Sequence, residues 1–231
     1  MLINNLPGED NSVRFSLFQA WLQNKQTAMQ KYFPKFELER AYVSTKWMSA
    51  GSMIAAGLEE RPLPYWLSDI DPADISEYRI IEEFEGLRIR GTLDKFQEDK
   101  NTVVDNKSLK RKMTIKEQKN IDSKYIYTLE DFTSLKNKFN EKDAVKYKQQ
   151  LVFYQVLVEQ RHGFVDPKAY IEVIPVFEDL NGFIRRTGEP AYMVPVEITK
   201  EERVEMKKLM VDTAREISQV YDSYKKGYIK L

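Results

Sequence analysis

Asp94, Asp105 and Lys107 are the residues of this sequence whose types and spacing could do chemistry together. Residues two apart on a strand share a face. Asp105 and Lys107 therefore point the same way, at the end of the short β-branched run Thr102-Val103-Val104. Asp94 lies near the end of an alternating run, Leu87 to Phe96, and the polar turn Gln97–Asn101 can fold it back beside Asp105. Two carboxylates and one ammonium meeting at a sheet edge suit phosphodiester hydrolysis. The carboxylates can hold Mg²⁺ or Mn²⁺ through oxygen. Such an ion activates a bound water and neutralises charge developing on the phosphorus oxygens. A lysine beside it can position the water, help deprotonate it, or stabilise the transition state. The Asn106 carbonyl can add a further oxygen ligand at a bent strand end. The competing reading is an exposed strand with a salt bridge, in which the three side chains do not converge.

A second pair stands further along. Gln150 and Tyr154 are four apart, so on a helix they share one face. The glutamine can bind a phosphate or orient a neighbouring group, and the tyrosine can stack or hydrogen-bond. Equally, Tyr154 can be core, with Gln150 at its margin.

Composition narrows the chemistry. The 231 residues include no cysteine and one histidine, His162. Disulfides, zinc–thiolate sites and cysteine-held iron–sulfur clusters are excluded, and carboxylates must carry any metal. The 36 basic and 36 acidic residues cancel, which excludes a uniformly basic nucleic-acid binder but not a charge-segregated one. Residues 107–148 hold 12 basic and 6 acidic side chains. Lys110, Arg111 and Lys112 are the densest part, read either as a solvated loop or as a phosphate-contacting one. No apolar run approaches the roughly 18 residues of a membrane span. The N-terminus lacks the regions of a signal peptide, so the chain is expected inside a cell.

The elements that must position these residues follow from periodicity and punctuation. An amphipathic helix is predicted from about Ser12 to Tyr32, stopped before Pro34, and a second from about Ser49 to Glu60, stopped by Pro62. Three strands are predicted as an antiparallel meander: Tyr78–Phe84, Leu87–Phe96 and Thr102–Lys107. The polar stretch from about 108 to 140 reads as a basic, mobile insertion. A helix follows from about Asp143 to Arg161, with Gly163 as its cap. Strands at Ala169–Phe177 and about Ala191–Ile198 and a last helix at about Lys200–Lys226 complete the chain. The expected class is α+β or mixed α/β in one domain, with a central mixed sheet flanked by helices.

The series Gly91-Thr92-Leu93-Asp94, Val103-Val104-Asp105-Asn106-Lys107 and Gln150-Leu151-Val152-Phe153-Tyr154 resembles the RecB-type branch of the PD-(D/E)XK nucleases. That branch has a Gly-x-x-Asp motif, a strand ending in (Asp/Glu)-x-Lys, and a helix bearing Gln-x-x-x-Tyr. Gly51 to Glu59 is similar to its first-motif helix, and Phe15-Ser16-Leu17-Phe18 to the serine-containing segment that often opens such domains, with Ser16 a nucleic-acid contact. The resemblance covers roughly residues 12–175 and implies a restriction-endonuclease-like core. It implies catalytic roles for Asp94, Asp105, Lys107, Gln150 and Tyr154, with Mg²⁺ or Mn²⁺ as cofactor. The activity implied is a deoxyribonuclease, in particular an exonuclease on single-stranded DNA or duplex ends. Recombination, repair or phage DNA processing in the cytoplasm of a bacterial or phage-infected cell would be its setting. A homo-oligomer or a recombination partner protein is compatible with it. Many members carry a histidine metal ligand in the first-motif helix. The matching position here is Ala55, so Glu59, one turn further on, becomes the expected ligand, with Glu60 competing. The missing histidine also admits an inactive nucleic-acid-binding module of the same fold.

Overall fold

The computed structural model describes residues 6, 7, 10–33, 46–60, 62–70, 75–110, 141–179, 181, 184–187 and 189–230. In chain order the elements are β1 (Val13–Arg14), α1 (Phe15–Gln23), α2 (Lys25–Tyr32), α3 (Lys46–Glu59), a 3₁₀ turn (Tyr65–Leu67), β2 (Ile75–Phe84), β3 (Leu87–Gln97) and β4 (Thr102–Lys110). They continue with α4 (Glu141–His162), β5 (Lys168–Glu178), β6 (Ile184–Arg186), β7 (Tyr192–Pro195) and α5 (Lys200–Lys225).

Among the described residues seven strands form one mixed sheet with helices packed on it. The expected meander is present: β2, β3 and β4 pair antiparallel. β4 then runs parallel to β5, and β1 runs parallel to β3. A parallel neighbour requires a crossover, and α4 lies on that connection. β5 pairs antiparallel with both β6 and β7 on its other edge.

Alternation along β5 explains how the helices are shared out. Ala169, Ile171 and Val173 enter the main core with the apolar faces of α1, α4 and α5, whereas Ile174 and Val176 enter a smaller cluster with Ile54 and Leu58 of α3. The sheet therefore has a large core on one face and α3 on the other. Thr199 opens α5 with a capping box to Glu202, and Gly163, at φ 67°, closes α4 by donating to the Glu159 carbonyl at 2.9 Å. Among the described residues no helix is long and apolar enough to cross a membrane.

Several elements differ from the sequence reading. The first helix is two helices, because Asn24 leaves helical geometry and its side chain accepts the Thr27 N–H at 2.9 Å, capping α2. β4 continues three residues past Lys107, since Ser108, Leu109 and Lys110 keep pairing with β5; they are strand, not insertion. β1 and β6, of two and three residues, were not foreseen. The rest of the predicted insertion, 111–140, lies outside the described residues, and Arg111 and Lys112 with it.

Candidate functional site

The β3–β4 ladder holds for three pairs, Gln97 with Thr102, Phe96 with Val103 and Lys95 with Val104, and then the strands part. The next pair in register would have been Asp94 with Asp105. Instead the Asp94 carboxylate accepts the backbone N–H of Asn106 at 2.8 Å. The β2–β3 ladder also skips a pair at this point. Tyr78 pairs with Leu93 and Ser76 with Lys95, while Glu77 between them takes a left-handed conformation, φ 48°. Side-chain alternation breaks here too: Leu87, Ile89 and Leu93 enter the main core, and then Phe96 returns to it rather than Lys95. Asp94 thus sits in the fork where β3 parts from β4, with the β2–β3 ladder interrupted for one pair on its other side. The acids meet inside the sheet at that fork, not at its outer edge.

Around the fork, β4 and α4 supply a chain of contacts. Asp105 is wholly buried, and Lys107 forms an ion pair with it. Gln150 donates through Nε2 to Asp105 Oδ1 at 3.0 Å and to the Tyr154 hydroxyl at 2.9 Å. Tyr154 is at the same time core, its ring 5.9 Å from that of Phe15. The pair is therefore hydrogen-bonded to Asp105 through Gln150 and packed into the core through Tyr154. An acid buried to this extent is not part of an exposed surface ion pair.

The fork opens into a cavity of about 230 Å³. Ala55 and Glu59 of α3, Glu77, Asp94, Asn106, Lys107 and Tyr147 of α4 are among its walls. Electrostatics follow from this crowding. Burial, reinforced by the charge of Asp105, pushes the Asp94 carboxyl up to about 7. Burial opposes the charge on Lys107, but Asp105 and Asp94 outweigh it and raise the ammonium's pKa further. Burial and the Asp105 charge also raise the Tyr154 hydroxyl well above its ordinary value, so it keeps its proton. Glu77 is raised by burial and by Glu59.

The donors that could hold a hard cation are all oxygens. Asp94 and Asp105 are the two carboxylates at the fork. The Asn106 carbonyl leaves its strand on the edge that carries the N–H bound to Asp94. Asn106 Oδ1, buried in the same wall, has no hydrogen-bond partner among the described residues. Among those residues no three acidic or histidine side chains are gathered around one point. Mg²⁺ is commonly bound by one or two carboxylates with several retained waters, so the set fits that ion.

The remaining sequence candidates divide. Glu59 lines the cavity with Ala55 one turn before it, while Glu60 is exposed at the end of α3 and is not among the walls. Ser16 is exposed on the first turn of α1, its carbonyl accepting from the Tyr32 hydroxyl, and is not a cavity residue. Lys110 ends β4, and its side chain is outside the described set. His162 bonds Tyr78 and stacks on Phe164 at the far end of α4. Sequence reasoning missed Glu77 and Tyr147. Glu77 stands opposite Asp94 in the strand register, a signal that becomes readable only once the register is known.

No protein-family model matches the chain, and no curated protein matches it in sequence. Among solved structures, the fold is similar to the crystal structure of a "Putative exonuclease" from Eubacterium rectale. The TM-score is 0.55 at 11% identity, over 95% of this chain and 83% of that one. At such identity the likeness is one of fold. A second solved structure, 14% identical over 89% of this chain and 76% of its own, has a TM-score of 0.34, too low to inform the fold.

Proposed function

We propose that this chain is a metal-dependent nuclease of the PD-(D/E)XK superfamily, RecB-type branch, hydrolysing DNA phosphodiester bonds. The observation that carries the reading is the fork: Asp94 and Asp105 stand together at the parting of β3 and β4, with Lys107 on Asp105 and Gln150 behind it. The exonuclease mode is supported by the similar fold of the Eubacterium rectale "Putative exonuclease"; single strands or duplex ends are its proposed substrates.

In this reading Asp94, Asp105, the Asn106 carbonyl and Glu59 would hold Mg²⁺ or Mn²⁺, which when bound would supply an activated water and a counter-charge for the phosphate. The protein's own groups do the rest. Gln150 fixes the plane of the Asp105 carboxylate through Nε2. Tyr154, protonated, holds the other amide hydrogen of Gln150 and so sets its rotamer. Lys107 keeps its proton and presents an ammonium to the cavity, where it can hydrogen-bond the attacking water or a phosphate oxygen.

Labelled DNA incubated with the purified protein and Mg²⁺ or Mn²⁺ tests this. Chelator-sensitive cleavage that disappears in Asp105→Ala and Lys107→Ala is expected. Cleavage that survives both substitutions overturns the reading.

One observation favours a second reading, an inactive nucleic-acid-binding module: the cavity wall carries Ala55 where a ligand side chain would be expected. That reading expects salt-dependent DNA binding without turnover and no heat of Mn²⁺ binding by calorimetry.

A further inference from the structure

Tyr147, Gln150 and Tyr154 lie three and seven residues apart along α4, so one helical face turns all three toward the fork. Gln150 and Tyr154 act on Asp105. Tyr147 does something different: the Lys107 ammonium lies over its ring, 5.0 Å from the centroid, and both residues line the cavity. Lys107 is thus gripped from two directions, by the Asp105 carboxylate and by an aromatic face. A lysine ends in a compact charge on a flexible four-carbon stem, so a single contact leaves much rotamer freedom. The two contacts also differ in kind. Asp105, in the function proposed above, shares its charge with a cation, and its pull on the ammonium weakens when it does. An aromatic face attracts a cation through its quadrupole and has no such competing role.

We infer that Tyr147 is a positioning residue for Lys107: its ring keeps the ammonium facing the cavity when Asp105 is engaged elsewhere. The inference rests on the nuclease reading for its consequence in catalysis, but the contact itself does not. Tyr147 would then influence the rate at which bound DNA is cleaved more than the binding of DNA. The ring, not the hydroxyl, carries the role.

The test has two arms. In the first, lysine is labelled with ¹³C at Cε and the free protein is observed by NMR, with the Lys107 resonance assigned by its loss in Lys107→Gln. Ring current is expected to shift that resonance upfield in the wild type and in Tyr147→Phe, and the shift should vanish in Tyr147→Leu. In the second arm, Tyr147→Leu is expected to lower kcat on the order of tenfold with KM little changed, and Tyr147→Phe to stay within about threefold of wild type. Melting curves confirm that each variant is folded, and Tyr147→Phe serves where the leucine variant is not. The inference is overturned by an unshifted Lys107 resonance in the wild type. It is also overturned if Tyr147→Phe is as impaired as Tyr147→Leu. A wild type that shows the ring shift but cleaves nothing overturns the nuclease reading instead and leaves the contact standing.

Discussion

The Asp94 carboxylate takes the backbone N–H of Asn106 at the point where the β3–β4 ladder ends, so a side chain stands in for the next main-chain partner. That substitution keeps the Asn106 N–H satisfied while the strands diverge, and the cavity opens beside them. It also brings Asp94 up against Asp105 with one ammonium, Lys107, shared between them. Burial and the second acid together make ionised Asp94 costly in the protein alone, which is why its pKa stands near 7.

Asp94→Asn separates the two roles of this residue. The amide oxygen can still accept the Asn106 N–H, and one of two crowded charges is gone. Above neutral pH the metal-free variant is expected to melt at the same temperature as the wild type or higher. Its DNA cleavage should fall by about a hundredfold or more, as when a group that stabilises the transition state is removed. Thermal melts and a cleavage assay on the same preparations decide it. A marked loss of stability would contradict the assignment of Asp94 as a strained acid.

What could be read in advance was whatever rests on a fixed period. Asp105 and Lys107 share a face because strands alternate, and Gln150 and Tyr154 share one because helices repeat. Glu59 was reachable from Ala55 by the same helical step. The features that depend on irregular backbone were not legible. Nothing in Ser76-Glu77-Tyr78 announces a left-handed residue within a strand, so the flip that sets Glu77 against Asp94 was invisible. Tyr147 carries no spacing signal of its own, since only the fold shows which lysine lies over its ring. The break at Asn24 was masked because the apolar spacing runs through it, although asparagine is a favoured cap.

Gly91 offers a sharper test of packing around the site. A Cβ there would stand 2.7 Å from Leu157 Cδ1 and 3.0 Å from Tyr154 Cδ1. Glycine within a strand ordinarily weakens it, so replacing it with alanine usually gains about 0.5–1 kcal/mol. Here the close approach reverses the sign. Gly91→Ala is expected to destabilise by about 1–3 kcal/mol and to disturb the Tyr154–Gln150 contact. Urea denaturation measures the first effect; an unchanged or higher midpoint would show that Tyr154 and Leu157 give way freely.

On the other face of β4 a buried ion pair joins its two neighbours. Lys95 of β3 and Glu172 of β5 meet at 2.5 Å with both side chains 5% exposed. Removing one partner leaves a buried charge, so Lys95→Met is expected to cost about 3–5 kcal/mol. The double substitution Lys95→Met with Glu172→Met removes both charges and should recover most of that loss, because the pair's attraction largely offsets its own desolvation. A double-mutant cycle by chemical denaturation tests this. Additive losses would mean that the two residues are not coupled.

Asp69 makes the pH dependence of stability predictable away from the fork. Its carboxylate accepts from Arg186 at 2.8 and 3.1 Å and from the Ala191 N–H at 2.7 Å, tying the segment after the 3₁₀ turn to β6 and the start of β7. Burial works against the charge, but Arg186 and the Ala191 N–H outweigh it and hold the carboxyl below its ordinary 3.8. Because the folded pKa is the lower one, the folded state binds fewer protons than the unfolded chain over the interval between them. The stabilisation is therefore present above about pH 4 and is lost as pH falls through the folded value. Asp69→Asn should cost about 1 kcal/mol at neutral pH, since the site is partly exposed and an amide keeps some of the bonds. The gap between variant and wild type should narrow as pH drops below about 4. Urea midpoints for both proteins across that range measure it, and a gap that stays constant, or widens in acid, would show that the Asp69 charge is not what Arg186 and Ala191 stabilise.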